Sequence, residues 1–75
     1  MRSKYPLLKP SEIIKALEHF GFKKVSQKGS HVKFRKNGNP SKIVIIPMHS
    51  EVARGTLKSI LEQAGISLED FLAKI

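Results

Sequence analysis

Apolar residues return at three- and four-residue steps near both ends of the chain and at two-residue steps between them, a pattern that predicts helices flanking strands. Ile13, Ile14, Leu17 and Phe20 form the first stripe, while Lys15, Glu18 and His19 fall away from it, as in an amphipathic helix with one face on a core. Pro10 suits the first helical position, Glu12 favours the positive helix end, and Gly21 is the expected stop. Residues 1–8 read as a short arm ahead of this helix.

From Phe22 the period shortens. Phe22 and Val25 sit in a basic, polar run that reads as a first strand ending at Gly29-Ser30. In the next run Val32 and Phe34 alternate with His31, Lys33 and Arg35, which makes one strand face apolar and the other basic. Asn37-Gly38-Asn39-Pro40-Ser41 is a dense cluster of turn residues, so the strands on either side should be antiparallel neighbours. Ile43-Val44-Ile45-Ile46 is apolar throughout; β-branching and Pro47 favour a third strand over a helix, with two of the four facing outward. After the loop Pro47-Met48-His49-Ser50, Leu57, Ile60, Leu61 and Ala64 supply a helical stripe over roughly residues 54–64, stopped by Gly65. Ser67 then caps a last short turn from which Leu68, Phe71 and Leu72 can fold back on the core.

The expected architecture is α+β: an α-β-β-β-α order with a short C-terminal helix, a three-stranded antiparallel sheet, helices on one face and the other face open. No repeat, linker or low-complexity tract divides the chain, so residues 1–75 read as one domain.

Fourteen Lys and Arg against six acidic residues give a formal charge of +8, a balance suited to polyanions. A chain this short has little margin for a deep catalytic cleft, but an RNA can supply binding energy through its own phosphates on an open surface. With no cysteine, disulfides, thiolate nucleophiles and zinc-thiolate sites are excluded. The N-terminal residues lack a signal-peptide core or a membrane span, which together with the missing cysteines suits the cytoplasm. Glu12, Glu18, Glu51, Glu62, Glu69 and Asp70 do not form the clustered carboxylates of a two-metal nuclease, so no metal and no cofactor is expected.

RNA carries its own nucleophile, the 2′-hydroxyl; an enzyme has to remove that proton and stabilise the phosphorane that follows. His31 is the candidate catalytic residue, because an imidazole ordinarily exchanges its proton near neutral pH and Lys33 and Arg35 share its face to hold a phosphate. Gly29 lets backbone approach a ligand, and Ser30 offers a hydroxyl and an N–H beside it. The plainer alternative makes His31 an ordinary solvated strand residue. His49 falls toward the same sheet end if the two strands pair through the 37–41 turn, as a second acid/base or as a structural loop histidine bonded to backbone. His19 is most simply a partner for the dipole of its helix. Arg54, Thr56 and Lys58 lie where the second long helix begins, a place suited to phosphate, though Thr56 or a neighbour can instead simply cap the helix. Lys28 joins the phosphate contacts, while Lys23 and Lys24 read with it as a diffuse electrostatic face.

Gly21-Phe22, Gly29-Ser30-His31 with Phe34, Ile46-Pro47-Met48-His49, Gly55-Thr56-Leu57-Lys58-Ser59-Ile60-Leu61, and the closing Ala64-Gly65-Ile66-Ser67 and Phe71-Leu72 together resemble the HicA messenger-RNA interferase toxins of bacterial type II toxin–antitoxin systems. The resemblance runs over nearly the whole chain. It implies a fold like that of double-stranded-RNA-binding domains, ribosome-independent cleavage of messenger RNA, and silencing by a HicB-type antitoxin. It also implies that the histidine of the glycine-serine-histidine motif, His31, carries catalysis; where many relatives have a second histidine directly afterwards, this chain has Val32. The expected products are a cyclic phosphate and a 5′-hydroxyl. The outward residues of Ile43–Ile46, amid basic neighbours, suit docking of an acidic, partly apolar antitoxin. Assembly with itself or with the antitoxin is compatible with the sequence.

The main rival is a non-catalytic module that grasps duplex RNA by shape and phosphate contacts. A DNA-binding role lacks a helix-turn-helix pattern, and a pure protein-interaction role sits awkwardly with a charge of +8.

Overall fold

The structure, a computed structural model, describes residues 4–75; the first residues of the expected N-terminal arm lie outside the described residues. Its elements run α1 Pro10–His19, β1 Lys23–Lys28, β2 His31–Lys36, β3 Lys42–Pro47, α2 Arg54–Ala64 and α3 Leu68–Leu72. This is the expected α-β-β-β-α order with a short C-terminal helix.

Helix α1 starts where Pro10 has no amide to satisfy, and Glu12 Oε1 accepts the Lys9 N–H at 2.9 Å, so the acidic side chain closes the first turn. Ile13, Ala16 and Leu17 are buried and Ile14 and Phe20 half-buried. Ala16, absent from the expected stripe, completes its inner line. At the other end the Phe22 N–H reaches the Leu17 carbonyl and the Gly21 N–H the Glu18 carbonyl, the paired bonds of a Schellman ending. Helix α2 ends in the same way at Gly65, where φ is +70°, a backbone conformation that favours glycine.

The sheet has the order β1-β2-β3 with both pairs antiparallel. In β2 and β3 the register places Val32 opposite Ile46 and Phe34 opposite Val44, all buried under the helices. The alternate positions pair His31 with Pro47, Lys33 with Ile45 and Arg35 with Ile43, and these form the open face. The two outward residues of the apolar run are therefore Ile43 and Ile45.

Strand β1 departs from the expectation. It begins at Lys23 rather than Phe22 and is exposed along its whole length, so Phe22 just before it is the residue that enters the core. A bulge between Lys24 and Ser26 leaves Val25 without a partner and 51% exposed. Leu8, at the end of the arm, is buried and forms a bridge with Val52, whose N–H donates to the Leu8 carbonyl at 2.8 Å. Val52, in the link before α2, belongs to none of the periodic stripes, yet it is core.

The short α3 is capped by the Ser67 hydroxyl, which accepts the Asp70 N–H at 3.1 Å. Phe71 is fully buried and Leu68 half-buried, but Leu72 is exposed, a correction to the expected trio. A five-residue helix turns only one narrow face inward, and Leu72 falls about 100° round from Phe71. Among the described residues no polar side chain is buried, and no helix is long and apolar enough to cross a membrane.

Candidate active site

Two hairpins build the site. Lys28 pairs with His31, so Gly29 and Ser30 alone make the β1–β2 turn. Gly29 has φ +59° while Ser30 does not enter the left-handed region, the pattern of a turn with glycine at its first central position. Nothing lies within 4 Å of where a Cβ on Gly29 would stand, so the space before the turn is open. The Gln27 amide steadies the turn by donating to the Gly29 carbonyl at 3.1 Å and accepting from Lys24 Nζ at 3.0 Å.

The second hairpin returns the chain to the same end. Pro47 stands opposite His31, and the next residue, Met48, donates its N–H to the Ser30 carbonyl at 2.6 Å. The loop beyond β3 is thereby tied to the turn preceding β2. This brings the His49 ring within 6.4 Å of the His31 ring, centroid to centroid, with the planes at 86°. Both side chains are exposed.

Cations continue along the open face. Lys28 lies directly across from His31, Lys33 two residues further along β2 and Arg35 two beyond that, all exposed. At ~3.3 Å per residue, the His31-to-Arg35 span is about 13 Å. Near its far end, Lys23, Lys24, Arg35 and Lys36 line a recess of about 550 Å³ together with Gly21, Val25 and Asn37. Lys23 and Lys24, expected to form only a diffuse face, thus share a defined concavity, and Lys36 joins them. Its position at the sheet end, where β2 leaves the core, is visible only once the register is known.

The residues at the start of α2 belong to the helix layer instead. Arg54 donates from Nε to the Tyr5 carbonyl at 2.9 Å, holding the N-terminal segment against the helix start. Thr56 is half-buried and Lys58 exposed. The N-cap is Ala53, with no side-chain cap, so the expected capping by Thr56 or a neighbour does not occur. His19 lies in the last turn of α1, where the sequence placed it as a partner for the helix dipole. Among the described residues no three His, Asp or Glu side chains gather where they could hold a metal ion.

The surface thus sets a row of exposed cations along the strands and two imidazoles at one end of it. Residues 10–66 match the family model described as the HicA toxin of bacterial toxin–antitoxin. The matched span opens with α1 and runs through the sheet, both histidines and α2. No curated protein matches the chain.

Proposed function

The chain belongs to the HicA toxin family of bacterial toxin–antitoxin systems, and from that premise we propose that it is a cytoplasmic endoribonuclease that cuts messenger RNA without the ribosome and without a metal ion. The observation that carries this reading is the placement of His31: exposed on a sheet face, opposite Lys28 and in line with Lys33 and Arg35. A general base acts only if a substrate hydroxyl can reach it, and an open strand position meets that condition for a flexible polymer.

His31 removes the 2′-hydroxyl proton, and the 2′-oxygen attacks the adjacent phosphorus. Lys28, Lys33 and Arg35 hold the phosphate and offset the charge that builds on it, with Gly29 and Ser30 giving it room at the turn. The products are a 2′,3′-cyclic phosphate and a 5′-hydroxyl. Arg54, Thr56 and Lys58 serve more distant parts of the strand.

Toxin–antitoxin membership implies an antitoxin partner, and we take it to be a HicB-type protein docking on the same face. Ile43 and Ile45 are 48% and 38% exposed across from Arg35 and Lys33, a mixed apolar and cationic surface suited to an acidic, partly apolar partner.

Incubating the purified protein with RNA in EDTA and reading fragment ends by mass spectrometry tests the proposal. Cyclic-phosphate and 5′-hydroxyl ends are expected; cutting that appears only with added magnesium, or fragments bearing 5′-phosphates, would overturn it. A non-catalytic double-stranded-RNA-binding module predicts no fragments at all.

A further inference from the structure

Cleavage by the 2′-hydroxyl requires two proton movements, one off the nucleophile and one onto the departing 5′-oxygen, whose alkoxide is too basic to leave readily without it. Resting on the ribonuclease reading above, we propose that His49 is the general acid that supplies the second proton, with His31 and His49 working from opposite sides of one phosphate.

The separation of the rings is the first ground. At 6.4 Å between centroids and nearly perpendicular, the two imidazoles are too far apart to hydrogen-bond each other. They are close enough for a phosphate to lie between them with a ring nitrogen within about 2.6–3.2 Å of an oxygen on each side. Backbone brings the two residues together: Pro47 pairs with His31, and the Met48 N–H bonds the Ser30 carbonyl.

Elimination is the second ground. Ammonium and guanidinium groups as a class are poor proton donors to a leaving group and good partners for phosphate, which leaves Lys28, Lys33 and Arg35 to hold the phosphate rather than to protonate the leaving oxygen. None of the three strands contains a carboxylic acid, and the acid nearest His49 in sequence is Glu51. By register and sequence the charged groups closest to this sheet end are Lys28, opposite His31, and Glu51, two residues after His49. Only an imidazole both holds and releases a proton near neutrality. The structural alternative for His49, a bond to backbone, is not made among the described residues, where its ring has no hydrogen-bond partner.

In the step itself, the 2′-O–H proton passes to neutral His31 as the 2′-O–P bond forms. The P–5′-O bond breaks as the proton of the His49 imidazolium passes to the 5′-oxygen. His31 is left protonated and His49 neutral, and exchange with water restores the pair.

The test uses two RNA dinucleotides, one ordinary and one whose 5′-bridging oxygen is replaced by sulfur, since a thiolate leaves without being protonated. His49→Ala should slow cleavage of the ordinary linkage by roughly 10²–10⁴-fold and leave the sulfur linkage within a few-fold of wild type. His31→Ala should be slow on both. His49→Gln, which keeps a polar side chain in the loop, should repeat the pattern and guard against a local packing effect. Equal loss on both linkages for His49→Ala, no loss on either, or rescue of His31→Ala by sulfur would overturn the assignment. Wild-type protein that cuts neither substrate would instead sink the ribonuclease reading itself, and the assignment with it.

Discussion

The Ser30 carbonyl accepts the Met48 N–H at 2.6 Å, one bond beyond the last pair of the β2–β3 ladder. Through it the turn that precedes His31 is tied to the loop that carries His49. Neither histidine is buried or fixed by a side-chain network, so main-chain hydrogen bonding does the positioning. The arrangement fits a small chain, whose core has little volume to spare for second-layer support of an active site.

Removing the His31 imidazole should separate chemistry from folding. His31→Ala changes an exposed strand position, so stability should stay within about 0.5 kcal/mol of wild type, while the cleavage rate drops by roughly 10²–10⁴-fold. Urea unfolding and an RNA cleavage assay on the same preparation check both halves; a folded variant that still cuts at the wild-type rate would discard His31 as the base.

The cationic row and the recess should act on binding. Lys33→Glu with Arg35→Glu should weaken RNA affinity across sequences and flatten its salt dependence by about 0.7 in the log–log slope for each phosphate no longer neutralised. Lys23→Glu with Lys24→Glu, at the recess of about 550 Å³, should weaken binding of long RNA more than of a dinucleotide. Fluorescence titrations over a salt series measure both, and an equal effect of the second pair on both lengths would mean those lysines contribute only a diffuse field.

Antitoxin and RNA should exclude one another if both use the open face. Ile45→Glu places a carboxylate beside Lys33 on that face and should weaken a HicB-type partner at least tenfold, by removing an apolar side chain from the interface and repelling an acidic surface. Titrating labelled RNA into the preformed pair checks the competition. A ternary complex at undiminished RNA affinity would place the antitoxin elsewhere.

Phe71 should matter to folding despite lying beyond residues 10–66, the span of the family match. It is fully buried in the common core, and Phe→Ala at such a site costs about 3–5 kcal/mol, comparable with the roughly 3–5 kcal/mol one small core supplies. Circular dichroism of Phe71→Ala at 25 °C should show largely unfolded chain, whereas Leu72→Ala, at an exposed position, should melt like wild type.

Much of the fold is legible in the sequence because it depends on near neighbours in the chain. The stripe from Ile13 to Leu17, the alternation of His31, Val32, Lys33 and Phe34, and the glycine stops at Gly21 and Gly65 follow from local periodicity and backbone sterics. So do the caps in which Glu12 and Ser67 take part, whose bonds reach only three residues. The bounds of α2 follow its stripe as well, but how its start is held does not, because it lacks a side-chain cap and Arg54 bonds the Tyr5 carbonyl from far away in sequence. Val52 and Leu8 show no periodicity of their own; they are core because two irregular segments meet in an isolated bridge. Val25 lies in the strand as its pattern suggests, but the bulge that leaves it without a cross-strand partner has no signal in the sequence.

By itself, then, the sequence determined which segments are helix or strand, which strand face is basic, and that one histidine stands among cations, since residue type and spacing decide these within a few residues. It also brought His31 and His49 to one end of the sheet through the turn at residues 37–41. What only the tertiary structure decided is how close those rings come, which lysines share a recess and which apolar residues outside the stripes close the core. These depend on strand register and on bonds such as Met48 to Ser30, formed between segments that no local pattern relates.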